Sequence, residues 1–244
     1  MKAIILAGGK GERLRPYTND RPKGMVEVLG VPLLAYQVRW LRANGIEGIL
    51  FSCGYRHEVI RNYFGDGSRW GLNIQYVVEE TPLGRGGGMK LAFSHLDPED
   101  DPVVVTNGDV ITNFPLRQMI AEHQASGAMG TIYLAPYYSP FGIVEVDEEQ
   151  RVLGFREKPE LPYWINGGVY VLNRAIYDFL PDRGDHEVET FPLLAQRGQL
   201  RAFCSRAYWQ SVDTVKDLST TSRELEQFMM EAFLARGEVP REIR

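Results

Sequence analysis

Lys2-Ala3-Ile4-Ile5-Leu6-Ala7-Gly8-Gly9-Lys10-Gly11-Glu12-Arg13-Leu14-Arg15-Pro16 is the stretch that decides the fold. Ala3 to Ala7 is an unbroken apolar run stopped by two glycines, which reads as a strand buried on both faces, as in a parallel sheet. Working outward, Pro32 to Asn44 carries Leu33, Leu34, Val38 and Leu41 on one helical face, with Asn44-Gly45 as its stop. Ile46 to Ser52 reads as a second strand and His57 to Phe64 as a short helix ending near Gly65. Asn73 to Glu79 alternates like a third strand, Gly87 to Leu96 suggests a helix, and Val103 to Val105 a further buried strand. Strand and helix alternating at this spacing predict βαβ units and an α/β fold with a mainly parallel sheet.

After Gly127 the rhythm changes. Thr131 to Ala135, Ile143 to Val146 and Arg151 to Phe155 read as strands joined by short turns, with Asp147 to Gln150 as a hairpin loop. Val169 to Leu172 and Arg201 to Cys204 add two more, making a partly antiparallel extension of the first half. The chain closes on an amphipathic helix over 215–235, with Leu225, Phe228, Met229, Ala232 and Phe233 at helical spacing. That face is expected either on the chain's own core or against a second copy.

The 244 residues include 27 Lys plus Arg and 32 Asp plus Glu, a formal net charge of −5 that argues against a dedicated binder of nucleic-acid polymers. Cys53 and Cys204 have neither disulfide-scaffold nor metal-ligand spacing, so they read as reduced thiols in the cytoplasm. The apolar start is too short for a signal peptide, and no run approaches the ~18 apolar residues of a membrane span. Glycine is in surplus: average usage of about 7% predicts roughly 17, and there are 25. Nine of these fall in three clusters, at 8, 9 and 11, at 84 and 86–88, and at 167 and 168.

The first cluster leaves a strand end, where glycine lets backbone amides approach an anion closely. It is neither of two familiar phosphate loops: G-x-G-x-x-G fails at Leu14, and no G-x-x-x-x-G-K-[ST] occurs. Arg13, and Lys23 ten residues later in Arg21-Pro22-Lys23, supply two cations beside the amide nest, a combination suited to a polyphosphate gaining charge in a transition state. Asp109 ends the run Val103 to Asp109 at the carboxyl end of a buried strand, where ligands of open parallel sheets bind. A carboxylate there suits Mg²⁺, which takes one or two carboxylates plus phosphate oxygens. Glu79 or Glu80 is placed to accept from N1–H and the N2 amine of a guanine, with Glu80 favoured.

With these residues in view, the sequence resembles the sugar-1-phosphate nucleotidylyltransferases. Residues 6–16 and 22–23 match that family's Leu-Ala-Gly-Gly-x-Gly-x-Arg-Leu-x-Pro and Pro-Lys, departing only at Glu12 and, just beyond, at Gly24. Leu83 to Gly88 resembles its Leu-Gly-Thr-Ala-Gly, with Arg85 and Gly86 in unusual places. Phe141-Gly142, Glu157-Lys158-Pro159 and Asn166-Gly167-Gly168-Val169-Tyr170 resemble its sugar-side segments. Near the end, Trp209-Gln210-Ser211-Val212-Asp213-Thr214 puts Ser where most members have a metal-binding Asp, and moves the carboxylate to Asp213, as in the glucose-1-phosphate cytidylyltransferase branch.

The resemblance implies a three-layer Rossmann-like α/β fold of the nucleotide-diphospho-sugar transferase type, its mixed, mainly parallel sheet bearing a small sugar-binding β extension. It implies one domain over 1–244, with a nucleotide half (1–125), a sugar half (126–220) and a terminal helix (215–236). Leu6, Ala7, Gly8, Gly9, Gly11, Glu80, Gly84 and Gly108 are then expected at the nucleotide, and Gly142, Glu157, Lys158, Asn166 and Gly167 at the sugar. Arg13 and Lys23 would serve catalysis, and Asp109 and Asp213 would bind Mg²⁺. The implied reaction is NTP plus sugar 1-phosphate giving NDP-sugar and pyrophosphate, first GTP with mannose 1-phosphate. CTP with glucose 1-phosphate, or a uridylyl or thymidylyl transfer, is the alternative. A glycosyltransferase would need an Asp-x-Asp that residues 107–111 lack. A transferase acting on a non-sugar phosphate would not need the Glu-Lys-Pro and Asn-Gly-Gly segments. Arg13, Lys23, Asp109 and Lys158 together argue against a non-catalytic sensor of nucleotide sugars.

Overall fold

Ile4 and Ile5 are both fully buried, and because strand side chains alternate they face opposite sides of the sheet. That is the physical content of the apolar run: helices cover both faces. The computed structural model describes residues 1–235, with side chains of the last helix described as far as Met229. The chain begins with β1 (Lys2–Ala7), the two-residue β2 (Glu27–Val28) and β3 (Val31–Pro32), α1 (Leu33–Ala43), β4 (Gly48–Cys53) and α2 (His57–Phe64). It continues through β5 (Asn73–Val78), α3 (Gly84–Phe93), β6 (Val103–Asn107), β7 (Val110–Thr112), α4 (Leu116–Ser126) and β8 (Gly130–Tyr138). The rest comprises β9 (Ile143–Val146), β10 (Val152–Arg156), β11 (Glu160–Leu172), α5 (Thr190–Gln196), β12 (Leu200–Cys204), β13 (Trp209–Ser211) and α6 (Val215–Ala235).

Seven strands form one sheet in the order β12-β8-β11-β6-β1-β4-β5. β6 is the central strand and β1 lies next to it, parallel to β4 and β6, with Leu6 opposite both Ser52 and Asn107. β11 runs antiparallel to β6 and β8, which makes the sheet mixed but mainly parallel. On one face Ile5, Phe51 and Val104 pack with Leu34, Val38 and Phe64 of α1 and α2; on the other, Ile4, Leu50 and Val105 meet Met89 and Phe93 of α3. β9 and β10 form a separate hairpin, carried by the overhanging ends of β8 and β11. Among the described residues, no helix is long and apolar enough to cross a membrane.

Several elements differ from the sequence reading. The helix expected over 87–96 spans Gly84–Phe93, so the second glycine cluster lies inside it. Glycine is a poor helix former, and here it is used for close approach: a Cβ on Gly86 would fall 2.7 Å from the His186 nitrogen, and one on Gly87 2.5 Å from the Asp182 oxygen. The strand expected over 169–172 begins at Glu160. Gly167 and Gly168 hide this continuity, since they sit in a register shift between Asn166 and Tyr170. α4 and α5 were not expected at all; α4 buries only Leu116, Met119 and His123, too few to mark a period. In α6, Leu225 packs on a small cluster with Leu14, Val28 and Val212, while Phe228 and Met229 stay about half exposed. The side chains of Ala232 and Phe233, and residue 236, lie outside the described part.

Candidate active-site cleft

Because β1 and β6 are adjacent and parallel, their carboxyl ends open side by side, and the loops leaving them form the rim of one cleft. The Gly108 amide donates to the Leu6 carbonyl at 2.9 Å, and a Cβ at Gly108 would lie 2.7 Å from that oxygen. Glycine at 108 thus lets the Asp109 turn close onto the end of β1. The cleft encloses about 300 Å³ and is lined by Leu6, Gly8, Gly9, Gly84, Gly108 and Asp109 of the expected residues, joined by Ser52, Glu79, Gly88 and Asn107. A larger cavity of about 900 Å³ lies between the β8 overhang and α6. Its charged groups are already engaged, Arg206 with Glu160 and Glu224 with the Tyr208 hydroxyl.

The glycine loop is folded back on the Pro22-Lys23 segment. Gly11 has φ +67°, its carbonyl accepts the Thr18 hydroxyl at 2.8 Å, and the Lys23 amide donates to the Gly9 carbonyl at 3.3 Å. A Cβ on Gly11 would sit 2.9 Å from the Lys23 Cβ, so the lysine stem runs directly beside the loop. Its ammonium reaches Asp109 Oδ2 at 2.5 Å and Asp213 Oδ1 at 2.7 Å. Arg13 Nη2 donates to the same Asp213 oxygen at 2.7 Å, and the Ser211 hydroxyl to Asp213 Oδ2 at 2.9 Å. The four expected catalytic and metal residues therefore meet, although up to 200 positions separate them in sequence.

What brings Asp213 here is β13, which pairs antiparallel with β7 so that Ser211 lies opposite Val110; the Val212 amide then donates to the Asp109 carbonyl at 3.0 Å. Burial alone pushes the Asp213 carboxyl up, but the Lys23 hydrogen bond and charge, the Ser211 hydroxyl and Arg13 outweigh it. Together they hold the group below the usual carboxylate range.

The remaining expected residues divide. Glu80 faces a different recess with Tyr76 and His95; the acid in the cleft is Glu79, whose Oε2 accepts the Leu83 amide at 3.0 Å. Both acids lie past the end of β5, in the turn that leads to α3; Glu79 borders the cleft as well as the recess, and Glu80 only the recess. Ala7 is buried at the end of β1. Gly142, Glu157, Lys158, Asn166 and Gly167 are not among the cleft-lining residues. Glu157 and Lys158 form an exposed pair at 3.7 Å beyond the hairpin, and the Glu157 carboxylate lies beside Gly142. The Asn166 side chain is committed within the protein: its amide donates to the Tyr170 hydroxyl and to Glu187 Oε1, both at 3.0 Å, while its oxygen accepts the Gly168 amide. Gly167 is buried under the Tyr133 ring. Its carbonyl accepts the Trp209 indole N–H at 2.7 Å.

The cleft also takes Glu79, named above beside Glu80, and two polar residues that were not singled out, Ser52 and Asn107. Ser52 and Glu79 lie at or just past the carboxyl ends of β4 and β5, positions that the strand-end rule already marks. Asn107 carries a buried Oδ1 with no hydrogen-bond partner, and it stands in the same Asn-Gly-Asp turn as Asp109.

This architecture, a doubly covered mixed sheet with a glycine loop and two basic and two acidic side chains at adjacent strand ends, defines a Rossmann-like α/β protein with a strand-end cleft. The sequence model of the nucleotidyl transferase family matches residues 2–227, and the chain belongs to that family. It is 38% identical over 231 residues to a mannose-1-phosphate guanylyltransferase of Mycobacterium tuberculosis, covering 91% of this chain and 64% of the relative. A mannose-1-phosphate guanyltransferase of Candida albicans is 37% identical over 228 residues, covering 89% and 62%. The chain thus spans less than two thirds of the length of these curated relatives. Among solved structures, HddC from Yersinia pseudotuberculosis superposes with TM-score 0.72 at 25% identity, covering 92% of this chain and 99% of that one.

Proposed function

We propose that the chain is a sugar-1-phosphate nucleotidylyltransferase that joins GTP to mannose 1-phosphate or a related sugar phosphate, releasing pyrophosphate. The observation that carries this reading is the meeting of Arg13, Lys23, Asp109 and Asp213 at the mouth of a glycine-walled cleft. The relatives' names support the same base and sugar.

In this reading the Gly8–Gly11 loop receives the triphosphate on its amides, and Arg13 and Lys23 neutralise the charge that collects on the departing pyrophosphate. A sugar phosphate oxygen is already ionised at pH 7 and attacks the α-phosphorus in line, so the chain needs no nucleophile and no general base. Lys158, on the exposed arm, is assigned to the sugar phosphate and Glu157 to sugar hydroxyls. Glu79 is assigned to the base, since a carboxylate accepts from both N1–H and the N2 amine of guanine.

Asp109 and Asp213 suit Mg²⁺: two carboxylates already share one cation, and no larger acidic or histidine cluster occurs among the described residues. When bound, Mg²⁺ supplies charge neutralisation at phosphate oxygens. Both cysteines are free, consistent with a cytoplasmic enzyme.

A matrix of GTP, CTP, UTP and dTTP against mannose and glucose 1-phosphates, read out as pyrophosphate, tests the proposal. GTP with mannose 1-phosphate is expected to lead. The sequence Asp213-Thr214 favours CTP with glucose 1-phosphate as the second reading, and absence of pyrophosphate with every pair would overturn both.

A further inference from the structure

Asp109 and Asp213 are the carboxylates assigned to Mg²⁺, yet a cation already bridges them, and it belongs to the chain. The Lys23 ammonium lies 2.5 Å from one and 2.7 Å from the other. Two of its three N–H donors are spent there. Arg13 adds a second positive charge on Asp213, so two cations face two anions and the cluster is electrically neutral.

A neutral, hydrogen-bonded cluster offers a divalent ion little. Mg²⁺ gives up its water reluctantly and depends on anionic oxygens to do so. To enter, it would have to evict Lys23 and approach Arg13. Lys23 is not free to leave on its own either. Its side chain is only 14% exposed, its amide is tied to Gly9, and its stem lies against Gly11. From that anchorage the ammonium has two destinations, the carboxylate pair and the glycine loop. A polyphosphate on the loop would offer the second and, by drawing Arg13 as well, would uncover two carboxylates beside its own phosphate oxygens.

We propose that Lys23 is the resident counter-ion of the carboxylate pair in the free protein, and that Asp109 and Asp213 accept a divalent cation only once a polyphosphate has drawn Lys23 away. The inference rests on the functional reading above and adds to it a coupling: occupancy of the loop and of the carboxylate pair favour one another through one side chain, as linkage requires. In this role Lys23 is a positioning residue for the metal as well as a phosphate ligand. In the free protein the same ammonium offsets the repulsion between two carboxylates that share one spot.

The test reads metal binding with no substrate and no turnover. Mn²⁺ is titrated into the whole chain, followed by electron paramagnetic resonance of the free ion, with wild type, Lys23→Met and Lys23→Gln compared at low ionic strength. Wild type is expected to bind at this site only at about millimolar Mn²⁺ or above, and both variants at least about tenfold more tightly. Adding Asp213→Asn to Lys23→Met should return binding to the wild-type level, which ties the gain to this pair. Thermal melts report whether each variant is folded.

Variants that bind no more tightly than wild type would overturn the proposal. So would a wild-type protein that binds Mn²⁺ at micromolar concentration and loses that binding in Asp213→Asn. Pyrophosphate release is measured separately: its absence would sink the functional reading while leaving the metal titration interpretable, and its presence with flat Lys23 titrations would sink this inference alone.

Discussion

Gly87 and Gly88 are neighbours in one glycine run, and the structure predicts opposite consequences for adding a methyl group to each. In an unstrained helix, Gly→Ala ordinarily stabilises by roughly 0.5–1 kcal/mol, because alanine gives up less backbone freedom on folding. At Gly87 the new Cβ would lie 2.5 Å from the Asp182 carbonyl oxygen, a contact that only a backbone shift relieves. Overpacking of that kind costs typically 1–3 kcal/mol, so Gly87→Ala should be destabilised on balance by about 1–2 kcal/mol. For a chain of this length that lowers Tm by roughly 2–8 °C.

At Gly88 the Cβ would meet the Ser52 hydroxyl at 3.2 Å and Glu79 Oε2 at 3.8 Å, both at the cleft. Gly88→Ala should therefore keep its Tm or gain slightly, while the nucleotide KM rises about tenfold, the usual cost of one misplaced methyl in a binding pocket. Thermal melts of the ligand-free proteins and steady-state pyrophosphate assays give the two readouts. If Gly87→Ala melts with wild type and changes only KM, the run is a ligand loop and the packing argument fails.

Arg13→Ala should lower kcat by about 10²–10³, as for a lost transition-state donor, and near-normal pyrophosphate release would refute its assigned role. Glu79→Gln should raise KM for GTP at least about tenfold while leaving UTP less affected, because an amide offers only one acceptor to a guanine edge. A parallel change for both nucleotides would remove Glu79 from base reading. His186 is fully buried with neither ring nitrogen hydrogen-bonded; burial lowers its pKa from 6.5 to about 4, against the neighbouring Asp185 carboxylate and with the help of Arg85. Between those values the unfolded chain binds a proton that the fold refuses, so stability is full above pH 6.5 and is lost as pH falls toward 4, by as much as about 3 kcal/mol. His186→Phe keeps the ring contacts with Tyr170 and Phe191 and should flatten the dependence of Tm on pH across that window.

Much of this was legible in the residues. The apolar runs at 3–7 and 103–105, and Ile49 to Phe51 within 46–52, marked parallel strands because a strand covered on both faces has no polar side to show. The Gly8–Gly11 loop, Arg13, Lys23 and Asp109 could be singled out because each follows a strand end or sits a short distance from one. β11 and α4 were harder. Gly167 and Gly168 interrupt an otherwise continuous strand, and α4 buries too few side chains to declare a period.

The sequence by itself determined the α/β class, the family resemblance and the identity of the charged residues, since these depend on local pattern and on residue type. Only the tertiary structure decided what the residues do to one another. The turn after β5 brings Glu79 to the cleft and leaves Glu80 in a neighbouring recess. The pairing of β13 with β7 brings Asp213 to Asp109, with Lys23 between them. The glycines divide as well: Gly8, Gly9 and Gly88 border the cleft, Gly84 borders it with a crowded Cβ position, and Gly86, Gly87 and Gly167 clear space for another part of the chain. A glycine records only that something comes close; whether a ligand or the protein's own backbone fills that space is a property of three dimensions.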